Sequence, residues 1–207
     1  MPKAYPIIMS AESVRAILHD PPLKSQTRRI GSSYFTADDH AIRKTEWESL
    51  DFSGAVIGNR GLHCRDGGGV IVLRPKYVPG DLLWVRETWF PFDHARTIYK
   101  ADATALAETI AKWRSPMHMP RWASRITLRV TASRIERLRD ISEADAIAEG
   151  APRVKEDHVP LYSHRMGFEI RWDILHRKPG TRWEDNPVVA VISFERLDGR
   201  THDEVPG

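Results

Sequence analysis

The sequence predicts an α+β fold, and two features of its 207 residues carry that prediction. Apolar and β-branched residues crowd into 70–73, 82–89, 126–130 and 188–194, the third in strict alternation, which is the pattern of buried strands. Elsewhere apolar residues recur at helical spacing behind polar caps, as at 11–19 and 141–150. The length suits one domain over 1–198, with an insertion at 31–69 and a polar tail at 199–207 that should fray.

Taken in order, 5–9 reads as extended, and Ser10 then offers an amino-terminal cap to a helix that carries Val14, Ile17 and Leu18. Gly31-Ser32-Ser33, Asp38-Asp39 and Gly67-Gly68-Gly69 mark 31–69 as an irregular, exposed excursion anchored by Trp47 and Leu50. The Pro79-Gly80-Asp81 turn leads into the 82–89 strand, which ends on Arg86 and Glu87, either an ion pair or part of a site. A short strand at Ile98-Tyr99 precedes a helix over 103–113 with Leu106, Ile110 and Trp113 on one side. Ser142 and Asp145 form a capping box, and Gly150 stands where a left-handed carboxy-terminal cap belongs. Glu149 therefore faces the negative end of the helix dipole, an unfavourable place unless something uses it. Phe168, Trp172 and Leu175 define the packing face of a last helix before the 188–194 strand.

Composition narrows the function classes. Charged residues are 29% and hydrophobic ones 41%, ordinary for a soluble globular chain, and the formal charge is only +3. Basic residues nevertheless gather at 24–29, 112–139 and 171–182, which predicts a local basic surface. Cys64 is the single cysteine, so no intramolecular disulfide forms and a cytoplasmic, reducing setting is expected. No signal-like or membrane-length apolar run occurs. The adjacent His63 and Cys64 have poor metal-ligand spacing, and neither a metal nor a cofactor is expected. Seven tryptophans are either core rings or base-stacking platforms.

Two stretches carry candidate chemistry. In Lys24-Ser25-Gln26-Thr27-Arg28-Arg29, a lysine and a hydroxyl lie three residues apart, close on a bent backbone but on opposite faces of a straight strand. Arg28 and Arg29 would disfavour the charged form of Lys24, which could then activate Thr27; a solvated basic turn, or one that holds phosphates, is the plainer alternative. The second stretch, 117–125, puts Arg121, Trp122 and Arg125 in one loop, suited to gripping a nucleotide or, equally, to capping the core.

These blocks together resemble an ASCH-domain protein of the PUA-like superfamily, in its long phage and prophage form. The resemblance rests on Ala16-Ile17-Leu18 running into Lys24-Ser25-Gln26-Thr27-Arg28-Arg29, on Pro79-Gly80-Asp81 leading into Trp84-Val85-Arg86-Glu87-Thr88-Trp89, on His118 through Ile126, on Ile141-Ser142-Glu143-Ala144 to Glu149-Gly150, and on the strand after Asn186-Pro187. It implies a small, strongly bent PUA-like β-barrel with flanking helices that binds RNA or modified bases. One branch hydrolyses the acetyl amide of N4-acetylcytidine with a Lys-x-x-Thr pair and a glutamate, which by position would be Lys24, Thr27 and Glu149. Arg28, Arg29, Glu87, Arg121, Trp122 and Arg125 would then bind the substrate. The resulting expectation is acyl-amide hydrolysis on a modified nucleoside; the rivals are a non-catalytic reader of RNA, single-stranded DNA or a modified base, and a ribonuclease. If the gene is carried by a phage, the host cytoplasm is the expected location.

Overall fold

A computed structural model describes residues 3–37, 40–42, 47, 50–58, 61–65, 70–92, 96–155 and 162–197, and divides the chain into two compact units. One comprises Met1–Ser25, Gly80–Val130 and Phe194–Gly207; the other comprises Gln26–Pro79 and Thr131–Ser193. The expected 199–207 tail lies outside the described residues.

In the first unit, the strands Ala4–Ile8 and Leu82–Arg86 pair in parallel, and the start of the Thr127–Arg137 strand pairs antiparallel with the latter. Along Leu82–Arg86, burial places Leu83 and Val85 inside, while Trp84 and Arg86 share the less buried side, as the period of two requires. The helix Ala11–Leu18 forms as expected, because the Ser10 side chain accepts a hydrogen bond from the Ser13 amide and Val14 and Ile17 are buried. The helix expected over 103–113 is shorter, Ala105–Ile110, and leaves Leu106 exposed. The strands Trp89–Pro91 and Thr97–Tyr99 form a small antiparallel pair.

The second unit holds an antiparallel five-stranded sheet in the order His40–Ala41, Phe35–Ala37, Val70–Pro75, Gly61–Arg65, Asp51–Gly58. Most of this sheet comes from 31–69, so the described residues of that segment are not an irregular exposed excursion. Buried Phe35, Ala37, Leu62, Cys64 and Leu73 form a core with Ile135, Val188 and Ala190, and Trp47 and Leu50 pack against it. In the sequence, the glycines and polar residues of this segment outweigh the short strand patterns between them. A second core joins Val189 and Val191 to Leu138, Ile141, Ala146, Phe168, Trp172 and Trp183. Alternate residues of one strand thus feed two different cores, which explains why 188–192 is uniformly apolar instead of alternating.

The helices of this unit follow their caps. Ser142 and Asp145 close the predicted capping box on Glu143–Ala148, and Gly150 takes a left-handed φ of 68°. The helix His164–Leu175 buries Phe168 and Trp172 but leaves Leu175, in its last turn, exposed. The Glu143 carboxylate caps its start, accepting from the His164 and Arg165 amides at 2.7 and 3.0 Å and from Ser163 Oγ at 3.1 Å. The His164 amide bond is the main reason its carboxyl lies below the usual range. Glu143→Ala should therefore cost about 1 kcal/mol, as lost caps do. A depressed carboxylate stabilises above its unfolded pKa of roughly 4.3, so the Tm gap between variant and parent should be full near neutral pH and shrink as pH falls below that value.

The strongly bent PUA-like barrel is not formed. The sheets of the described residues are open, with first and last strands that are not joined, and parallel and antiparallel pairings are mixed. Isolated strand patterns specify that strands exist and leave open which edges meet, so closure was not readable from them.

Candidate functional site

The two sequence stretches end in different units and in different chemical settings. Lys24 belongs to the first unit, and Thr27 and Glu149 belong to the second.

In the second unit, Gln26–Arg29 is a strand paired antiparallel with Ala190 to Ser193. Its alternation sends Gln26 and Arg28 to one face and Thr27 and Arg29 to the other. Arg28, whose side chain is 0% exposed, is met by three carboxylates: it bonds Glu136 through Nε at 3.0 Å and through a second guanidinium nitrogen, Asp145 at 3.4 Å and Glu149 at 3.3 Å. Arg134 closes the group over Glu136 Oε2 at 2.8 Å and Asp145 Oδ1 at 3.0 Å, and Gln26 donates to Asp145 at 3.1 Å. Burial opposes the charge on Asp145, yet hydrogen bonds from Gln26, Ser142 and Arg134 together with the Arg134 charge hold its carboxyl far below the usual carboxylate range. Glu149, awkward at a helix end by dipole reasoning, is accounted for by the guanidinium it faces. Arg28 is thus an internal counterion, and Arg29 lies over the Tyr34 ring at 5.9 Å. Sequence reasoning missed Glu136 and Arg134, whose only signal was the alternation of charges along one strand.

In the first unit, the loop expected to grip a nucleotide is fixed from several sides. Ser124 Oγ donates to Val85 O at 2.8 Å, Tyr99 OH donates to Ala123 O at 2.9 Å, and the Glu87 amide meets Met119 Sδ at 3.3 Å. Arg125 grips both oxygens of Glu87, at 2.9 and 3.1 Å, pairs with Asp102 and lies over the Tyr99 ring at 4.0 Å. Glu87 is 1% exposed, and burial pushes its carboxyl up despite the opposing pull of Arg125. Arg86 and Glu87 are accordingly not an ion pair: Arg86 lies against Trp84 and donates to Met117 O, and Glu87 belongs to Arg125.

Held this way, the loop leaves Trp122 63% exposed, edge-on to buried Trp89 at 5.9 Å with an 88° interplanar angle. Guanidiniums surround the aromatics: Arg86 and Arg121 lie 5.4 and 5.7 Å from the Trp84 ring, Arg114 stands 5.4 Å from Trp89, and Arg96 stands 5.0 Å from exposed Phe92. Of the residues expected to bind substrate, Arg121 lies over the Trp84 ring, Trp122 is exposed against Trp89, and Glu87 and Arg125 pair with each other. Trp84, Arg96 and Arg114 were missed, although interleaved arginine and tryptophan along 84–122 was the signal that could have found them.

Among the described residues, no group of histidine, cysteine and acidic side chains could hold a metal ion, and no helix is long and apolar enough to cross a membrane. Compared with family models, curated proteins and solved structures, the chain matches none of them. The ASCH and PUA-like resemblance is therefore withdrawn: no family model or solved structure matches it and the barrel is absent, so the hydrolase assignment that came with the family loses that basis.

Proposed function

We propose that the protein binds single-stranded nucleic acid on the Trp122 face of its first unit. The observation that carries this reading is a large indole left exposed on a loop fixed by Ser124, Arg125 and Tyr99, edge-on to Trp89, over whose ring the Arg114 guanidinium stands. Exposing that much apolar ring serves no purpose for the core, whereas a stacking base gains from a platform that is already ordered. The arginines supply sequence-independent phosphate contacts and cation–π contacts. A single-stranded ligand fits better than a duplex, because only unpaired bases offer a free face to an indole. A lone buried cysteine, Cys64, accords with action in a reducing compartment.

The test is fluorescence anisotropy of labelled single-stranded and duplex oligonucleotides over a salt series. Single-strand affinity should exceed duplex affinity and fall steeply between about 50 and 200 mM salt, because phosphate contacts release counterions. No binding by the folded protein at low salt would refute the reading.

A further inference from the structure

The short helical turn Arg121–Ala123, which carries Trp122, rests on a small apolar cluster of Trp89, Met119 and Ala123 with Tyr99 packed against it. Apolar packing is non-directional and does not by itself fix how the turn is oriented. The polar bonds around it do. Arg125, just beyond the turn, holds Glu87 through Nε and one terminal nitrogen at 2.9 and 3.1 Å, and Asp102 through the other terminal nitrogen. All three guanidinium nitrogens are thereby engaged, and the group lies over the Tyr99 ring, whose hydroxyl donates to Ala123 O at 2.9 Å. The Glu87 amide meets Met119 Sδ at 3.3 Å, so Glu87 contacts the chain on both sides of Trp122.

Glu87 is the costly member of this network. It is 1% exposed and burial pushes its carboxyl up, yet a buried ion pair is often no more stabilising than apolar side chains of the same volume. What a planar fork on a carboxylate adds is a single orientation.

We infer, resting on the nucleic-acid reading above, that Glu87 is a positioning residue for that site: through Arg125 it holds the Trp122 loop in the conformation that stacks a base. Arg125 then works by holding Glu87 and Asp102, and not as a phosphate ligand. A platform ordered in advance binds more tightly, because the ligand does not have to order it.

The experiment titrates labelled oligo(dT) at low salt, by fluorescence anisotropy, against Arg125→Lys and Glu87→Gln, each made in the parent and in Trp122→Ala. Lysine keeps a cation opposite Glu87 but lacks the fork that spans Glu87 and Asp102, so Arg125→Lys decides the matter if Glu87→Gln does not fold. In the parent background each substitution should weaken binding roughly twofold to tenfold, the cost of ordering one released side chain on binding. In Trp122→Ala the same substitutions should have no further effect, because the residue they position is gone. A general disturbance of the fold weakens both backgrounds alike, so equal losses overturn the inference. Undiminished affinity of Arg125→Lys in the parent also overturns it, since a lysine replaces arginine freely as a point charge to phosphate but not as a fork. Either outcome leaves nucleic-acid binding itself standing. Absence of binding by the parent, or an affinity unchanged by Trp122→Ala, overturns the reading on which the inference rests.

Discussion

Trp122→Ala should weaken single-stranded nucleic-acid binding roughly 5- to 150-fold, the range expected when one base loses its aromatic platform. Thermal stability should change little, because the ring is 63% exposed and its loop is held by Ser124, Arg125, Tyr99 and Met119 instead. The slope of affinity against salt should also persist, since the phosphate contacts belong to the arginines. Anisotropy titrations at several salt concentrations, paired with melting curves, measure all three quantities. An unaltered affinity would show that the exposed indole is not the platform. A collapse of stability would show that the loop depends on the ring, and the binding loss would then say nothing about stacking.

Arg28→Met should be the most damaging single substitution to stability, lowering it by about 3–5 kcal/mol. The new side chain fills much of the same space but leaves Glu136, Asp145 and Glu149 without the guanidinium that neutralises them. In a protein of this length that corresponds to roughly 6–20 °C in Tm. Melting curves of parent and variant measure it, and a loss of about 1 kcal/mol or less would show that the three carboxylates do not depend on this guanidinium.

Local features were legible in the sequence to the extent that neighbours along the chain decide them. Ser10 before Val14 and Ile17, Ser142 with Asp145, and Gly150 behind its helix each specify a helix end through contacts three or four residues away. The 188–194 strand was equally plain, since both of its faces are buried. Of the proposed site, Arg121 and Trp122 stood out in the sequence as a pairing suited to nucleotides, and the spacing of Lys24 and Thr27 left strand or turn open at 24–29. What spacing could not answer was which geometry holds there. The observed strand sends Thr27 and Arg28 to opposite faces, and it is Arg28 that reaches Glu149.

By itself, then, the sequence determined the helix caps, the more apolar strands, the lone cysteine and the clustering of arginine with tryptophan, because propensity, periodicity and composition are properties of short stretches. Only the tertiary structure decided that 35–37, 40–41, 51–58 and 61–65 join one sheet, that the sheets of the described residues stay open, that Glu87 pairs with Arg125 and not with Arg86, and that Arg28 is an internal counterion. Each of these outcomes turns on strand pairing or on contacts between residues far apart in sequence, such as Arg28 with Glu149, 121 positions away. Such pairings are chosen by burial, charge neutralisation and register across the assembled cores, which no window of adjacent residues contains.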